Sequence, residues 1–506
     1  MVSLRTTAAL LATAAIAVGA TPARAATPAA AAGTLYREHC AACHGARRLG
    51  DVGPPLLPGS LTRLSRARAA QTIARGRVGT GMPAFGHTLS ADQIRSLTAL
   101  IYTPPARAPR WGMRRIRASH RLYFAPGSLP ARPVYRADPL NLFVVVESGC
   151  HRVAIVDGDP PYTILTRFPS HFSLHGGPKF SRHGRYVYFA SRDGWVTKYD
   201  LHRLKVVADV RAGINTRNIA LSSDDRYVLV GNYLPHDLVV LDARTLEPLR
   251  IVPAVSESGR SSRISAVYDA RPRGAFIAAL KDAREVWEIP YRDRDLARHL
   301  SIRRIRLSAY PDDFFLDPSY RYLIYSARSS DHVEVVDLDS GRAVARIPMP
   351  GMPHLGSAIT WDYRGDPVFA SPNIKTGLVT VVDMRTWKVV RHIRTLGPGY
   401  FIRSHQATPY AWVDIVFGPN RDAVQVIDKR TLKIVRTLRP EPGHTSMHIE
   451  FDRYGRHAWV SIWERKGAVV IYDARTFRVV KRIPMCKPVG KYNVYNKITL
   501  SPGTSH

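Results

Sequence analysis

The chain has 506 residues, 45 % of them apolar and 22 % charged, with 73 Lys+Arg against 40 Asp+Glu and a formal charge of +33. This is the composition of a globular protein with a large core, and it excludes disordered and collagen-like classes. The basic residues are scattered, with no basic arm and no recognition-helix motif. Acidic ligands or acidic protein partners, rather than nucleic acid, are therefore the expected beneficiaries of the positive field.

In chain order, Met1-Val2-Ser3-Leu4-Arg5 precedes an Ala/Leu-rich stretch from Ala8 to Ala20 and then Thr21-Pro22-Ala23-Arg24-Ala25. A short positive region, an apolar core of about a dozen residues and an A-x-A site predict a secretory signal peptide over 1–25. That core is too short to span a bilayer, which takes ~20 apolar residues, and no later stretch approaches that length. A periplasmic protein without a membrane span is expected. Next comes Cys40-Ala41-Ala42-Cys43-His44, the spacing of covalent haem c attachment: Cys40 and Cys43 form the thioethers and His44 reaches the iron. A thioredoxin-like redox pair is the rival, but it needs a βαβ context that the surrounding residues lack. Met82, in Gly79-Thr80-Gly81-Met82-Pro83-Ala84-Phe85, is the candidate second axial ligand. His87 or an open sixth position are the alternatives. Ser90-Ala91-Asp92-Gln93 has capping-box spacing, with Ile94, Leu97 and Ile101 following on one helical face. A small all-α cytochrome c domain over 33–103 is predicted, followed by a linker over 104–124 marked by Pro104, Pro105 and Pro109.

From 125 to 506 a unit recurs in which an alternating apolar strand ends in Asp and a short turn leads to a second strand. Its markers are Asp157, Asp200, Asp242, Pro290 in place of Asp, Asp337, Asp383, Asp428 and Asp473. The intervals are 43, 42, 48, 47, 46, 45 and 45 residues, the length of one four-stranded propeller blade. An all-β eight-bladed propeller is expected, with its loops converging on a central ligand site. Cys150 and Cys486 fall near its two ends, where a closed ring brings them together. An oxidising compartment permits a disulfide there; two buried free thiols are the alternative.

A c-type cytochrome joined to such a propeller resembles the cytochrome cd1 family. The resemblance covers nearly the whole chain beyond the leader and rests on Leu174-His175-Gly176-Gly177-Pro178-Lys179-Phe180, Gly184-Arg185-Tyr186, Ser191-Arg192-Asp193-Gly194, Pro353-His354, Phe401-Ile402-Arg403-Ser404-His405, Ser461-Ile462-Trp463 and Gly490-Lys491-Tyr492-Asn493-Val494-Tyr495-Asn496. It implies noncovalent haem d1, or dihydro-haem d1, in the propeller. His175 then matches the proximal iron ligand, with His171 as the fallback, and His354 and His405 match paired distal histidines. Arg192, Arg217 and Arg263 match carboxylate-binding arginines, against a plain role as solvated turn charges.

Two enzymatic branches of that family compete, a nitrite reductase and a dehydrogenase that oxidises a propionate of dihydro-haem d1 to acrylate in the last step of haem d1 synthesis. The short cytochrome domain, the Leu174–Pro178 stretch and an added histidine in Gly443-His444-Thr445-Ser446-Met447-His448 favour the dehydrogenase. His444 with Tyr492 is the expected base pair. A non-catalytic haem d1 carrier is the third reading, disfavoured because a carrier needs no electron outlet. The implied partners are the tetrapyrrole, a periplasmic electron acceptor or donor, and other haem d1 maturation proteins.

Overall fold

The computed structural model describes residues 28–51, 53–61, 64–76, 82–107, 109–174, 176–327 and 331–499. The leader read over 1–25 and His175 lie outside them. Helices Pro28–His39, Ala41–His44, Arg66–Arg75 and Ala91–Tyr102 form the N-terminal unit. Ser90 caps the last of these: its Oγ accepts from the Gln93 N–H, and the Gln93 side chain accepts from the Ser90 N–H at 2.8 Å. The buried stripe Ile94, Leu97 and Ile101 follows, and Tyr36, Ile73 and Leu89 complete the core with Cys40, Met82 and Phe85 packed against it. The proline-marked segment carries a helix, Met113–Ser119, and a short strand, Arg121–Leu122, that adds an outer edge to the blade Lys179–Arg211.

Eight antiparallel sheets follow, seven of them meanders in chain order. Each marker residue, from Asp157 to Asp473, is the last residue of the third strand of its blade. The reason is local. Asp242 Oδ1 accepts from the backbone of Arg244 and Thr245, and Asp383, Asp428 and Asp473 repeat the pattern. Four residues after Asp242, Asp383, Asp428 and Asp473 the chain turns through positive φ, at Leu246, Trp387, Leu432 and Phe477.

The first blade, Leu142–Pro169, takes its innermost strand from the C-terminal end: Pro488–Asn493 pairs antiparallel with Leu142–Glu147 and closes the ring. Buried Glu147 accepts from Arg152, Arg167 and the Cys486 N–H beside a Cys150–Cys486 disulfide. Aromatic stacks join adjacent blades, Phe143 on Trp459 at 3.8 Å and Phe168 on Tyr199 at 4.0 Å, each worth about 0.5–1.5 kcal/mol beyond burial. Among the described residues no helix is long and apolar enough to cross a membrane.

Candidate functional site

In the helical unit, Cys40 caps the short helix Ala41–His44, which carries Cys43 and His44. His44 is buried, with its Nδ1 2.7 Å from the Pro54 carbonyl. Donation there leaves Nε2 for a metal, and burial lowers the ring's pKa and keeps it neutral. Gly53 makes room for the ring, since a Cβ there would stand 2.8 Å from His44 Cε1. Met82 and Cys40 pack on one core cluster. His87 is exposed.

On the propeller axis lies a cavity enclosing about 1390 Å³ of atom-free space, part of it open to solvent, to which all eight blades contribute. One wall is a row of rings: His354 and Phe401 at 5.6 Å, Phe401 and His448 at 4.6 Å, His448 and Tyr492 at 5.3 Å. His354 Nδ1 lies 2.6 Å from the Tyr400 carbonyl, so Nε2 is the acceptor nitrogen, 3.9 Å from Asp313. His448 is buried and neither ring nitrogen has a hydrogen-bond partner in the protein. Burial holds it well below 6.5, and Lys491, Arg403 and Lys497 lower it further. Burial pushes the Tyr492 phenol up to about 12, with Arg403 opposing. Gly490 leaves space for that ring, since a Cβ there would meet the Tyr492 hydroxyl at 2.3 Å. Arg217, Arg403 and Lys497 bring positive charge to the lining, and burial draws Lys497 down to about 7.

The predicted site residues divide. His354, Tyr492 and Arg217 line the cavity. Arg192 and Arg263 lie behind it, their guanidinium groups 5.4 and 5.6 Å from the Tyr233 ring, and Arg263 is held bidentate by Asp282. Burial would raise the Tyr233 phenol, but Arg217, Lys281 and Arg192 bring it below 10. Residues 174 and 176–178 are on the wall, while position 175 is outside the described residues. His171 is elsewhere, stacked on Trp195 at 4.4 Å and 3.4 Å from Asp209.

Two histidines need correction. His405 is not in the cavity lining: it is buried near Phe451 and against Gly455, just beyond strand Ile402–Arg403. Nor is His444: it stands half-exposed on the turn before strand Ser446–Phe451, 3.6 Å from Glu441. The histidine of that motif that lines the cavity is His448, which the sequence did not single out. A bulge between Met447 and Ile449 sets its facing, and no alternation pattern in the sequence reveals it.

Residues 137–497 match the family described as "Cytochrome D1 heme domain", and residues 27–101 match "Cytochrome C oxidase, cbb3-type, subunit III". The chain belongs to the cytochrome d1 haem domain family. It is 53 % identical over 472 residues to the "Dihydro-heme d1 dehydrogenase" of Pseudomonas aeruginosa, covering 93 % of this chain and 95 % of that one. It is 27 % identical to the "Nitrite reductase" of Stutzerimonas stutzeri over 91 % and 92 % of the two chains. A solved structure, "Dihydro-heme d1 dehydrogenase NirN in complex with DHE", matches with a TM-score of 0.89 at 53 % identity, over 93 % of this chain and 100 % of the other.

The cavity suits the group for which this family is named. Its wall offers flat aromatic surface, with Tyr268, Phe401, His448 and Tyr492 in the lining. Buried polar atoms without protein partners, the two His448 nitrogens, Arg403 Nε and Asp313 Oδ1, await a polar ligand. Cationic Arg217 and Arg403 match its carboxylates. In the N-terminal unit Cys40, Cys43 and His44 fit haem c, with Met82 in the same cluster.

Proposed function

We propose that the chain is an exported haem c enzyme that oxidises a propionate side chain of dihydro-haem d1 to acrylate. The observation that carries this reading is His448: a neutral, buried imidazole with two unpartnered nitrogens, on the cavity wall against Tyr492. Converting –CH2–CH2–COO⁻ to –CH=CH–COO⁻ releases two protons and two electrons. His448 takes one proton as general base, and the second leaves through the open mouth of the cavity. Tyr492 stays protonated at neutral pH and orients the side chain by donating a hydrogen bond. Arg217, Arg403 and Lys497 hold carboxylates of the macrocycle, and His354 faces the ligand from the same wall with its acceptor nitrogen. Haem c, when held by Cys40, Cys43, His44 and Met82, supplies a one-electron outlet. Two such one-electron transfers to an external acceptor would balance the oxidation. His175 is the proposed proximal ligand. Export to the periplasm is supported by the leader-like pattern over 1–25 and by the Cys150–Cys486 disulfide.

The test is anaerobic incubation of purified holoprotein with dihydro-haem d1. Acrylate-bearing product should form as haem c becomes reduced, with little nitrite turnover. Fast nitrite-to-nitric-oxide conversion without acrylate would assign the reductase reaction instead, and binding without either would leave a carrier.

A further inference from the structure

His448 is an extra residue in its strand. The register of Ser446–Phe451 against His457–Ile462 shifts between Met447 and Ile449, and His448 takes φ 51, a conformation that L side chains rarely adopt. A bulge removes the residue's own N–H and C=O from the sheet ladder, and at a buried position both must be satisfied elsewhere. They are satisfied by two ionisable side chains from neighbouring blades. The N–H donates to Asp414 Oδ2 at 2.8 Å, and the carbonyl accepts from Lys491 Nζ.

Asp414 ends strand Tyr410–Asp414 of the preceding blade, and Lys491 lies in the closing strand Pro488–Asn493. Both are fully buried, and neither side chain lines the cavity. The other Asp414 oxygen accepts from the Tyr400 and Phe401 N–H groups at 2.7 and 2.9 Å, and the Tyr400 carbonyl is the partner of His354 Nδ1. Lys491 is fixed in turn by Ser461 Oγ at 3.0 Å. One carboxylate thus joins the supports of both cavity histidines.

We propose that Asp414 and Lys491 are positioning residues that clamp the bulged backbone of His448 and so aim its imidazole at the substrate; the inference rests on His448 acting as the base. Placing a carboxylate and an ammonium in the interior is costly, and three backbone N–H groups and a carbonyl are the specific return. Burial raises Asp414 to about 6 and drives Lys491 well below its ordinary range, in keeping with that placement.

Asp414→Asn and Lys491→Met attack the clamp from its two ends. The amide keeps one acceptor oxygen and turns an NH2 group toward donors; the methionine keeps the volume and removes the donor. Each variant should bind dihydro-haem d1 with unchanged affinity in an optical titration, while kcat falls roughly 10- to 100-fold, the scale of a misplaced reacting group. In protein labelled with ¹⁵N-histidine and free of ligand, the His448 ring resonance should shift or broaden in both. Unchanged kcat with an unchanged resonance in a folded variant would overturn the proposal, as would affinity falling in step with kcat. If neither variant folds, the pair is scaffold and the proposal also fails. The resonance is read without substrate, so it decides the clamp even if the wild-type chain makes no acrylate, an outcome that would instead reject the functional reading.

Discussion

His444 and His448 lie four residues apart in one motif, yet only the second meets the cavity, and this separates their expected behaviour under mutation. His448→Ala should retain ligand binding, since Arg217, Arg403 and Lys497 remain, but form acrylate about 100-fold more slowly, the scale of losing a general base. His444→Ala, on its exposed turn beside Glu441, should turn over like wild type. Product formation under single-turnover conditions distinguishes the two, and a loss in His444→Ala with His448→Ala turning over like wild type would return the role to His444. The pH dependence has a definite sign. Burial and the neighbouring cations favour the neutral ring, so His448 remains a base as pH falls through 6.5. The acid limb of kcat/KM for the free enzyme should therefore lie below that of an ordinary histidine; a limb at or above 6.5 would exclude His448 as the base.

At the scale of elements, what the sequence reveals depends on how local its cause is. Blade count and strand ends are readable because Asp at the end of a third strand closes its own turn through its side chain. No tertiary contact is needed, and even Pro290 keeps the place. The capping box of Ala91–Tyr102 is readable for the same reason. The site histidines are less so. The strand here is only Ile402–Arg403, so alternation does not extend to His405, which lies beyond it against Phe451 and Gly455. His448 faces inward through a bulge, which breaks the alternation from which facing is read. Ring closure joins both cases: the pairing of 142–147 with 488–493 is set by topology, and the Cys150–Cys486 disulfide spans 336 residues of chain there. Replacing both cysteines with Ala should lower unfolding free energy by about 2–5 kcal/mol, read from denaturant midpoints, because the open chain gains entropy. Because Glu147, Arg152 and Arg167 remain, the blade should still close and bind ligand.

At the scale of the molecule, the proposed reaction would pass electrons from the propeller axis to the helical unit, so the seating of one on the other would matter for turnover. Arg211 makes that junction. From the outer strand Lys205–Arg211 its guanidinium donates to the carbonyls of Leu49 at 2.6 Å and Gly50 at 3.2 Å, a few residues past His44, and to Asp193 within its own blade at 2.8 Å. It lies over the Trp111 ring at 4.5 Å, and the Trp111 indole N–H returns a bond to the Arg211 carbonyl. An always-charged planar group with five donors can serve three carbonyls and one aromatic face together; a lysine ammonium has neither the fork nor the plane. Arg211→Lys should therefore fold and bind dihydro-haem d1 normally but loosen the helical unit. The expected signs are faster proteolytic cleavage within residues 104–112 and slower haem c reduction after substrate is added, with the absorbance of the d1 site unchanged. If cleavage and haem c reduction both match wild type, the contact does not set the seating. If cleavage rises while reduction keeps its rate, electron transfer tolerates the looser junction, and the route from propeller to haem c is then fixed by contacts other than Arg211.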